Sequence, residues 1–327
     1  MRRRAAPLRI CRLAILLLAG SAAAADEGAS RAAPFVVVLG TAQDGGIPHL
    51  GGTAEPDLAA RRDPAQRRLV ASLLVVDPAS GRRWLIDATP DLPEQIERAD
   101  AIAPPSSAHG DRRGRPQLLD GIFLTHAHIG HYLGLAGLGR EVYSADRIPV
   151  YGSERMAAFL SHNGPWDQLV RLEQIELRTL VPGRAVALGD GLTVTPFLVP
   201  HRDEYSDTFG FEVRGPRRSL LYIPDIDKWE RWTTAIEEKI AAVDFALLDA
   251  TFYGGDEVAG RSLAEVPHPF VVESLARFAK LPAAERRKIV FTHLNHSNRA
   301  ALAGTPERQA IEAAGMRVAV EGERIDL

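Results

Sequence analysis

The sequence has 327 residues, of which 46% are hydrophobic and 25% are charged, and its formal net charge is −3. This composition supplies ample apolar material for a globular core. It lacks the basic excess that binding to nucleic acid requires, so we expect no nucleic acid among the partners.

The first 25 residues have the layout of a secretory signal. A basic stretch without acidic residues precedes the apolar run LAILLLAG at 13–20, and small residues follow before Asp26. The run is about 8 to 10 residues, whereas a membrane-spanning helix needs about 20. We therefore predict a signal peptide over 1–25, a single domain over 26–327, a periplasmic or secreted location and no stable membrane anchor after cleavage. An uncleaved anchor and a misassigned start codon are the alternatives.

Cleavage would also change the charge and the cysteine content. The segment holds five of the 39 basic residues and none of the 42 acidic ones, so the remaining chain carries a net charge of about −8. It also holds Cys11, the only cysteine. The mature chain would have neither a disulfide nor a thiolate, and any metal would be held by histidine and carboxylate.

Short apolar segments alternate with amphipathic ones along the rest of the chain. The segments predicted as strands are 34–40, 69–77, 82–87, 121–125, 148–152, 192–200, 219–225, 245–252 and 288–293. The segments predicted as helices are 92–102, 134–144, 153–162, 227–243, 269–280 and 306–315. Both types occur in each half, which favours sheets covered by helices over a regular alternating barrel.

Two stretches between these elements are rich in glycine, proline and charge: 41–68 and 103–117. The first follows a strand and contains Gly45 and Gly46, so we interpret it as a loop at the mouth of the active site. The second is interpreted as a solvated surface excursion.

Three histidines occur within six residues of the segment LTHAHIGH at 124–131: His126, His128 and His131. Residues i and i+2 at a strand end point to the same side. His131, five residues after His126, can point back to the same cavity because the chain turns into a helix there. Single histidines are usually ordinary surface or core residues, but three so close together indicate a site for zinc or a similar transition metal.

Further ligand-type residues close other apolar strands. They are His201 after 192–200, Asp225 at the end of 219–225, His293 at the end of 288–293 with His296 three residues on, and His268 after the strand that contains Asp249. Polar side chains that repeatedly end buried strands are typical of a site built along one edge of a scaffold. Asp249 and Asp87 are candidates to orient a ligand imidazole, although a buried capping role is the alternative.

These residues, in this order, resemble the metallo-β-lactamase superfamily over nearly the whole mature chain. The resemblance implies an α/β fold of the metallo-β-lactamase type, a four-layer αββα sandwich. Within the superfamily, the stretches LGTAQDGGIPH, LTHAHIGHYLGL, LLDATFYGGDE with VPHPF after it, and FTHLNHSN resemble the branch of the pyrroloquinoline-quinone (PQQ) biosynthesis B protein. In that protein the positions of His126 and His128 tend to be replaced, so this chain keeps more of the metal set.

The resemblance implies a ligand set. Matching the superfamily motif assigns His126, His128 and His201 to a first metal, Asp225 to a bridging position, and His131 and His293 to a second metal. It also implies Zn²⁺ as the cofactor, one or two ions, with iron or manganese as alternatives.

Gly130 departs from the superfamily turn, His-x-His-x-Asp-His, because it stands where that turn has its aspartate. The second metal position would lack its usual carboxylate. That position would then be weak, empty or filled by another metal. Alternatively, Asp44 or Asp203 would substitute, since both lie in loops that follow strands of the site.

The function implied is an exported metal-dependent hydrolase that uses metal-activated water on a small ester, lactone or phosphodiester. Catalytic roles are assigned to Asp225 beside the attacking water and to His268 as general acid, with His296 as the runner-up. Two alternatives stay open: an iron-dependent oxidoreductase acting on a quinone cofactor or its precursor, and a carrier for such a molecule. The sequence leaves the oligomeric state open.

Overall fold

A computed structural model describes residues 33–258 and 266–327. The signal peptide predicted at 1–25 lies outside these residues. The strands are β1 Phe35–Gly40, β2 Ser72–Asp77, β3 Arg82–Ile86, β4 Gly121–Phe123, β5 Ile148–Gly152, β6 Ile175–Thr179, β7 Val186–Gly189, β8 Leu192–Leu198, β9 Phe209–Arg214, β10 Ser219–Ile223, β11 Phe245–Asp249, β12 Ile289–Thr292, β13 Arg317–Val318 and β14 Arg324–Asp326. The α-helices are α1 Glu55–Arg62, α2 Leu92–Ile102, α3 Ile129–Tyr132, α4 Glu154–His162, α5 Trp166–Arg171, α6 Ile236–Ala241, α7 Val271–Phe278, α8 Ala283–Arg286 and α9 Pro306–Ala313.

The strands form two mixed sheets of seven. One has the order β14-β1-β2-β3-β4-β5-β6 and the other the order β13-β12-β11-β10-β9-β8-β7. Strands β3 to β6 run parallel in the first sheet, and β10 to β13 run parallel in the second. Each half of the chain therefore supplies one sheet, with β14 returning to pair with β1.

Alternate residues of β1 face opposite layers of the molecule. Val36 and Val38 join the core between the two sheets, whereas Val37 and Leu39 join the core beneath helix α2, where Leu92 packs. All of these side chains are buried. The two-residue period of a strand explains why a continuous apolar run fits here, because both faces of the sheet are covered.

The second sheet repeats the arrangement. In β10, Leu220 and Tyr222 face the first sheet, while Leu221 and Ile223 pack against the helical layer that includes Val271 of α7. Burying such side chains stabilises the fold by about 1.5–3 kcal/mol each. The predicted αββα sandwich is confirmed.

The sheet topology brings many strand ends to one edge. The carboxyl ends of neighbouring parallel strands lie at the same edge of a sheet, so β3 and β4 end together, as do β10, β11 and β12. Strands β1 and β8 run the same way as β3 and β10, because two antiparallel pairings separate the members of each pair. The segments that follow these strands carry the predicted site residues.

Three sequence-based element predictions were wrong in part. The helix predicted at 227–243 is broken into a 3-10 turn at Trp229–Arg231 and helix α6, because the indole nitrogens of Trp229 and Trp232 bond to Ser274 and to the Leu198 carbonyl. The helix predicted at 134–144 is a 3-10 segment at Leu133–Leu138. The stretch 41–68, predicted as a loop, contains helix α1.

Among the described residues, no helix is both long and apolar enough to cross a bilayer.

Candidate metal centre

A first group of side chains converges on one oxygen pair, the carboxylate of Asp225, which follows β10. His126 and His128 follow β4, and His201 follows β8. Nε2 of His126 lies 3.4 Å from Asp225 Oδ2, and Nε2 of His201 lies 3.3 Å from Oδ1. Nδ1 of His128 lies 2.8 Å from Nε2 of His126. We call these four residues the first cluster; one ligand atom from each lies within 4.8 Å of the others.

A second group lies on the other side of Asp225. It consists of Asp44 in the turn after β1, His131 in α3 and His293 after β12, and their ligand atoms also lie within 4.8 Å of one another. Nε2 of His131 and Nε2 of His293 lie 3.7 Å and 3.9 Å from Asp225 Oδ2. We call Asp44, His131 and His293 the second cluster. Asp225 thus stands between the two clusters, as the superfamily resemblance implies for a bridging carboxylate.

Asp225 is buried, which by itself would favour the neutral acid. The electrostatic effect of the nearby imidazoles, His201 first and then His268 and His293, outweighs burial and holds the pKa of Asp225 well below its usual range. The carboxylate therefore stays ionised and available to a cation.

The clusters contain buried polar atoms without hydrogen-bond partners among the described residues. They are Oδ1 of Asp44, Nε2 of His131, both ring nitrogens of His201, Oδ1 of Asp225 and Nε2 of His293. Leaving a buried polar atom unpaired costs about 1–3 kcal/mol. Imidazole nitrogens and carboxylate oxygens that converge within 4.8 Å are the donor set that zinc binds. The residues therefore fit one metal ion in each cluster.

Most of the ligand imidazoles are held neutral, as metal binding requires. Burial lowers the pKa of His126 well below its usual value, and the charge of His131 lowers it further. Burial also lowers the pKa of His128 and of His293 against the attraction of nearby carboxylates.

A buried carboxylate behind His131 fixes the orientation of its ring. Asp87, at the end of β3, lies 2.8 Å from Nδ1 of His131 and accepts hydrogen bonds from the backbone N–H and hydroxyl of Thr125. Its charge overcomes the effect of burial and raises the pKa of His131 to about 9. Because Nδ1 donates to Asp87, Nε2 is the atom that faces the second cluster.

The same construction recurs at His268, before α7. Asp249, the last residue of β11, lies 2.8 Å from Nδ1 of His268, and the Thr251 hydroxyl donates to Asp249 at 2.7 Å. Asp249 and Asp225 overcome the effect of burial and raise the pKa of His268 to about 9. Asp225, Asp249 and His268 also lie within ligand distance of one another. Since Nδ1 of His268 already donates to Asp249, we interpret this group as an oriented acid rather than a metal site.

Two more carboxylates support the first cluster. Oε2 of Glu204 lies 2.9 Å from Nε2 of His128, and Oδ1 of Asp227 lies 3.4 Å from Nδ1 of His201. Glu204 is close to half exposed, so the His128 side of the cluster faces solvent.

The structure brings together all six predicted metal-ligand residues, together with His268. His296, the runner-up acid, belongs to none of the metal-ligand groups in the described residues: its Nδ1 lies 2.7 Å from Oδ2 of the buried Asp57, and its ring stacks on His49 at 4.5 Å between centroids. Of the two carboxylates considered in place of the motif aspartate, Asp44 joins the second cluster. Asp203 instead accepts a hydrogen bond from Thr208.

Sequence reasoning did not identify the supporting roles of Thr125, Thr251, Glu204 and Asp227. A repeated sequence pattern could have indicated part of this support. The pattern Leu-x-Asp-Ala-Thr occurs twice, as LIDAT at 85–89 and as LLDAT at 247–251. Both copies end a strand, and both present an aspartate to Nδ1 of a histidine. Glu204 and Asp227 follow no such pattern.

A family model for the β-lactamase superfamily domain matches residues 82–294. The chain belongs to the metallo-β-lactamase superfamily. Within the superfamily, the chain is 30% identical over 310 residues to the coenzyme PQQ synthesis protein B of Gluconobacter oxydans, covering 88% of this chain and 96% of the relative. The protein of the same name from Xanthomonas axonopodis pv. citri is 28% identical over 317 residues, covering 89% and 99%.

Solved structures of the superfamily share the fold. Zn²⁺-bound PqqB from Methylobacterium extorquens superposes with a TM-score of 0.74 at 24% identity, over 90% of this chain and all of that one. A diphosphatase of the PhnP family gives a TM-score of 0.59 at 23% identity, over 90% and 97%. The predicted resemblance to the PQQ biosynthesis B branch is confirmed.

Proposed function

We propose that the protein is an exported, metal-dependent hydrolase that acts on a small ester, lactone or phosphodiester. One observation carries the proposal: two histidine clusters meet at the buried carboxylate of Asp225, and Nδ1 of His268, which donates to Asp249, lies 3.1 Å from Oδ1 of Asp225. Metal ligands and a proton donor thus converge on one place.

The first cluster supplies three imidazoles and the second supplies two imidazoles and a carboxylate, with Asp225 between them. This nitrogen and oxygen donor set suits zinc, with iron or manganese as alternatives. A bound zinc ion lowers the pKa of its water from about 15.7 towards 7 and so makes hydroxide available at neutral pH.

The chain's own residues orient the water and supply the proton. Asp225 is ionised and has an oxygen, Oδ1, without a hydrogen-bond partner in the described structure, so it can orient the attacking water. His268 donates from Nδ1 to Asp249, which leaves Nε2 to protonate the leaving group. A general acid of this kind contributes about 10²–10⁴-fold in rate.

A second candidate function is an iron-dependent oxidoreductase, or a carrier, for a quinone cofactor such as PQQ or its precursor. The observation that favours it is the 30% identity to a coenzyme PQQ synthesis protein B over 88% of this chain. Iron held by histidine and carboxylate with open positions can activate oxygen.

Elemental analysis separates these functions. The protein would be purified from the periplasm without chelators, beside a variant in which His126→Ala and His128→Ala are combined. The hydrolase predicts about one or two zinc ions per chain, fewer in the variant, and turnover in a panel of nitrophenyl esters, lactones and bis(nitrophenyl) phosphate. Bound iron with oxygen consumption would favour the oxidoreductase. Absence of metal from both proteins would contradict both catalytic functions and leave the carrier.

A further inference from the structure

The carboxylate that the superfamily motif places beside its last histidine is absent here, since Gly130 occupies that position. We propose that Asp44, which comes from the turn after β1, is the carboxylate ligand of the second metal in its place. The inference rests on the metal centre of the proposed function and assigns one of its ligands to a different part of the chain.

The space around Gly130 is filled by the turn that carries Asp44. A Cβ added at Gly130 would lie 2.6 Å from Cα of Asp44 and even closer to its Oδ1. Real Cβ atoms do not approach backbone this closely, so the turn that carries Asp44 could not stay in place if residue 130 had a side chain. The space that a motif aspartate would fill is therefore occupied by Asp44, and the glycine is what makes room for it.

The side chain of Asp44 offers an oxygen to the second cluster. Oδ1 of Asp44 is buried and lacks a hydrogen-bond partner among the described residues, although the side chain as a whole is 29% exposed. It lies 4.0 Å from Nε2 of His131, another buried and unpartnered atom. A carboxylate oxygen and an imidazole nitrogen that face each other without a hydrogen bond are placed as two ligands of one cation would be.

Backbone hydrogen bonds hold the turn that carries Asp44 in a strained conformation. Asp44 has a positive φ of 22°, which is unfavourable for a residue with a side chain. The turn is fixed by hydrogen bonds from the Gly46 N–H to the Gln43 carbonyl and from the Gln43 N–H to the Leu294 carbonyl, both 2.9 Å. Leu294 directly follows His293. The backbone pairing of Gln43 with Leu294 therefore holds their chain neighbours, Asp44 and His293, close together. The strained conformation of Asp44 is part of this turn.

Asp203 provides the contrast. Its Oδ1 accepts a hydrogen bond from the Thr208 hydroxyl at 3.1 Å, and it belongs to none of the metal-ligand groups in the described residues. It is therefore a matched control, being a loop aspartate close to the first cluster in sequence but without a ligand role.

The experiment measures zinc bound per chain, and its affinity, after the metal is removed with a chelator and restored. We expect about two zinc ions in the wild type and in Asp203→Asn, but about one in Asp44→Asn, with the second site weakened about 100-fold or more. A second variant, Asp44→Gly, also removes the carboxylate but suits the positive φ of this turn, and it should likewise bind about one ion. In the wild type, the second ion should also protect the amides of Gln43 and Gly46 from hydrogen exchange.

The outcomes distinguish this inference from the proposed function. Two zinc ions with unchanged affinity in a folded Asp44→Asn would overturn the assignment of Asp44 and leave the hydrolase standing, as would a single zinc ion in the wild type. A wild type without zinc would overturn both. If Asp44→Asn does not fold, as judged by circular dichroism, Asp44→Gly decides: one ion in a folded protein supports the assignment, and two ions with unchanged affinity overturn it.

Discussion

The two clusters share Asp225 but differ in how the fold surrounds them. In the first, His128 is partly exposed and its supporting carboxylate, Glu204, is close to half exposed. In the second, His131 is fully buried and so is its supporting carboxylate, Asp87. The clusters therefore differ in their supporting carboxylates: the one beside His128 is exposed to solvent, whereas the one behind His131 is enclosed in the protein interior. Each cluster also has one partly exposed ligand, His128 in the first and Asp44 in the second.

Asp225 contacts the histidines of both clusters, so its removal should affect both in the same way. We expect Asp225→Asn to lose metal from both and to lower kcat/KM by more than about 10⁴-fold, because metal-activated water and general acid together supply at least that much. Elemental analysis and kinetics on the preferred ester measure the effect. Asp146→Asn, which removes a buried carboxylate paired with Arg112, is the control and should retain metal and turnover. Retention of both metals in Asp225→Asn would contradict the bridging position.

His268 tests whether chemistry can be separated from metal binding. We expect His268→Ala to lower kcat by about 10²–10⁴-fold with its zinc content unchanged, since its Nδ1 is already engaged by Asp249. A substrate with a better leaving group, which needs less protonation, should recover part of the rate. If zinc is lost from this variant, His268 is a ligand and the assignment as general acid is wrong.

The aspartates of the two Leu-x-Asp-Ala-Thr segments support histidines with different roles. Asp87 supports His131, a metal ligand, and Asp249 supports His268, the general acid. Asp87→Asn should weaken zinc binding in the second cluster by about 10–100-fold, with kcat restored at saturating zinc. Asp249→Asn should instead lower kcat and leave zinc affinity unchanged. Zinc titration followed by kinetics on both variants measures the split, and identical behaviour would show that the two carboxylates serve the same function.

Glu204 should matter least. Its side chain is close to half exposed, and even an exposed ion pair contributes only about 0–1 kcal/mol. We expect Glu204→Gln to change zinc affinity in the first cluster by less than about 5-fold, measured by calorimetric titration at two salt concentrations. A loss as large as that of Asp87→Asn would mean that the exposed Glu204 supports its histidine as strongly as the buried Asp87 does.

Ligands at strand ends could be predicted from the sequence because their signals are local. The β4 strand, its three histidines and the turn into α3 are contiguous, and His201, Asp225 and His293 each follow an apolar run that became a strand. The αββα sandwich followed from the resemblance rather than from periodicity. Strands β6, β7, β9, β13 and β14 were not predicted, and β6 and β7 are only partly buried.

The choice between Asp44 and Asp203 could not be made from the sequence. Asp44 precedes His131 by 87 positions and His293 by 249, and its selection depends on the backbone pairing between Gln43 and Leu294. His296 was assigned as runner-up acid because of its strand-end position. Its pairing with Asp57 of α1 could not be foreseen, since that helix lay in a stretch predicted to be a loop.

The close approach of position 130 to Asp44 also constrains how such a chain can arise by single substitutions. An aspartate at 130 and the present position of the Asp44 turn exclude each other sterically, so a side chain can be introduced at 130 only if that turn moves. An ancestor with the usual motif would need two changes to reach the present arrangement: loss of its aspartate and an inward shift of the turn. Homologues should accordingly have glycine at position 130 wherever the turn carries the second-cluster aspartate.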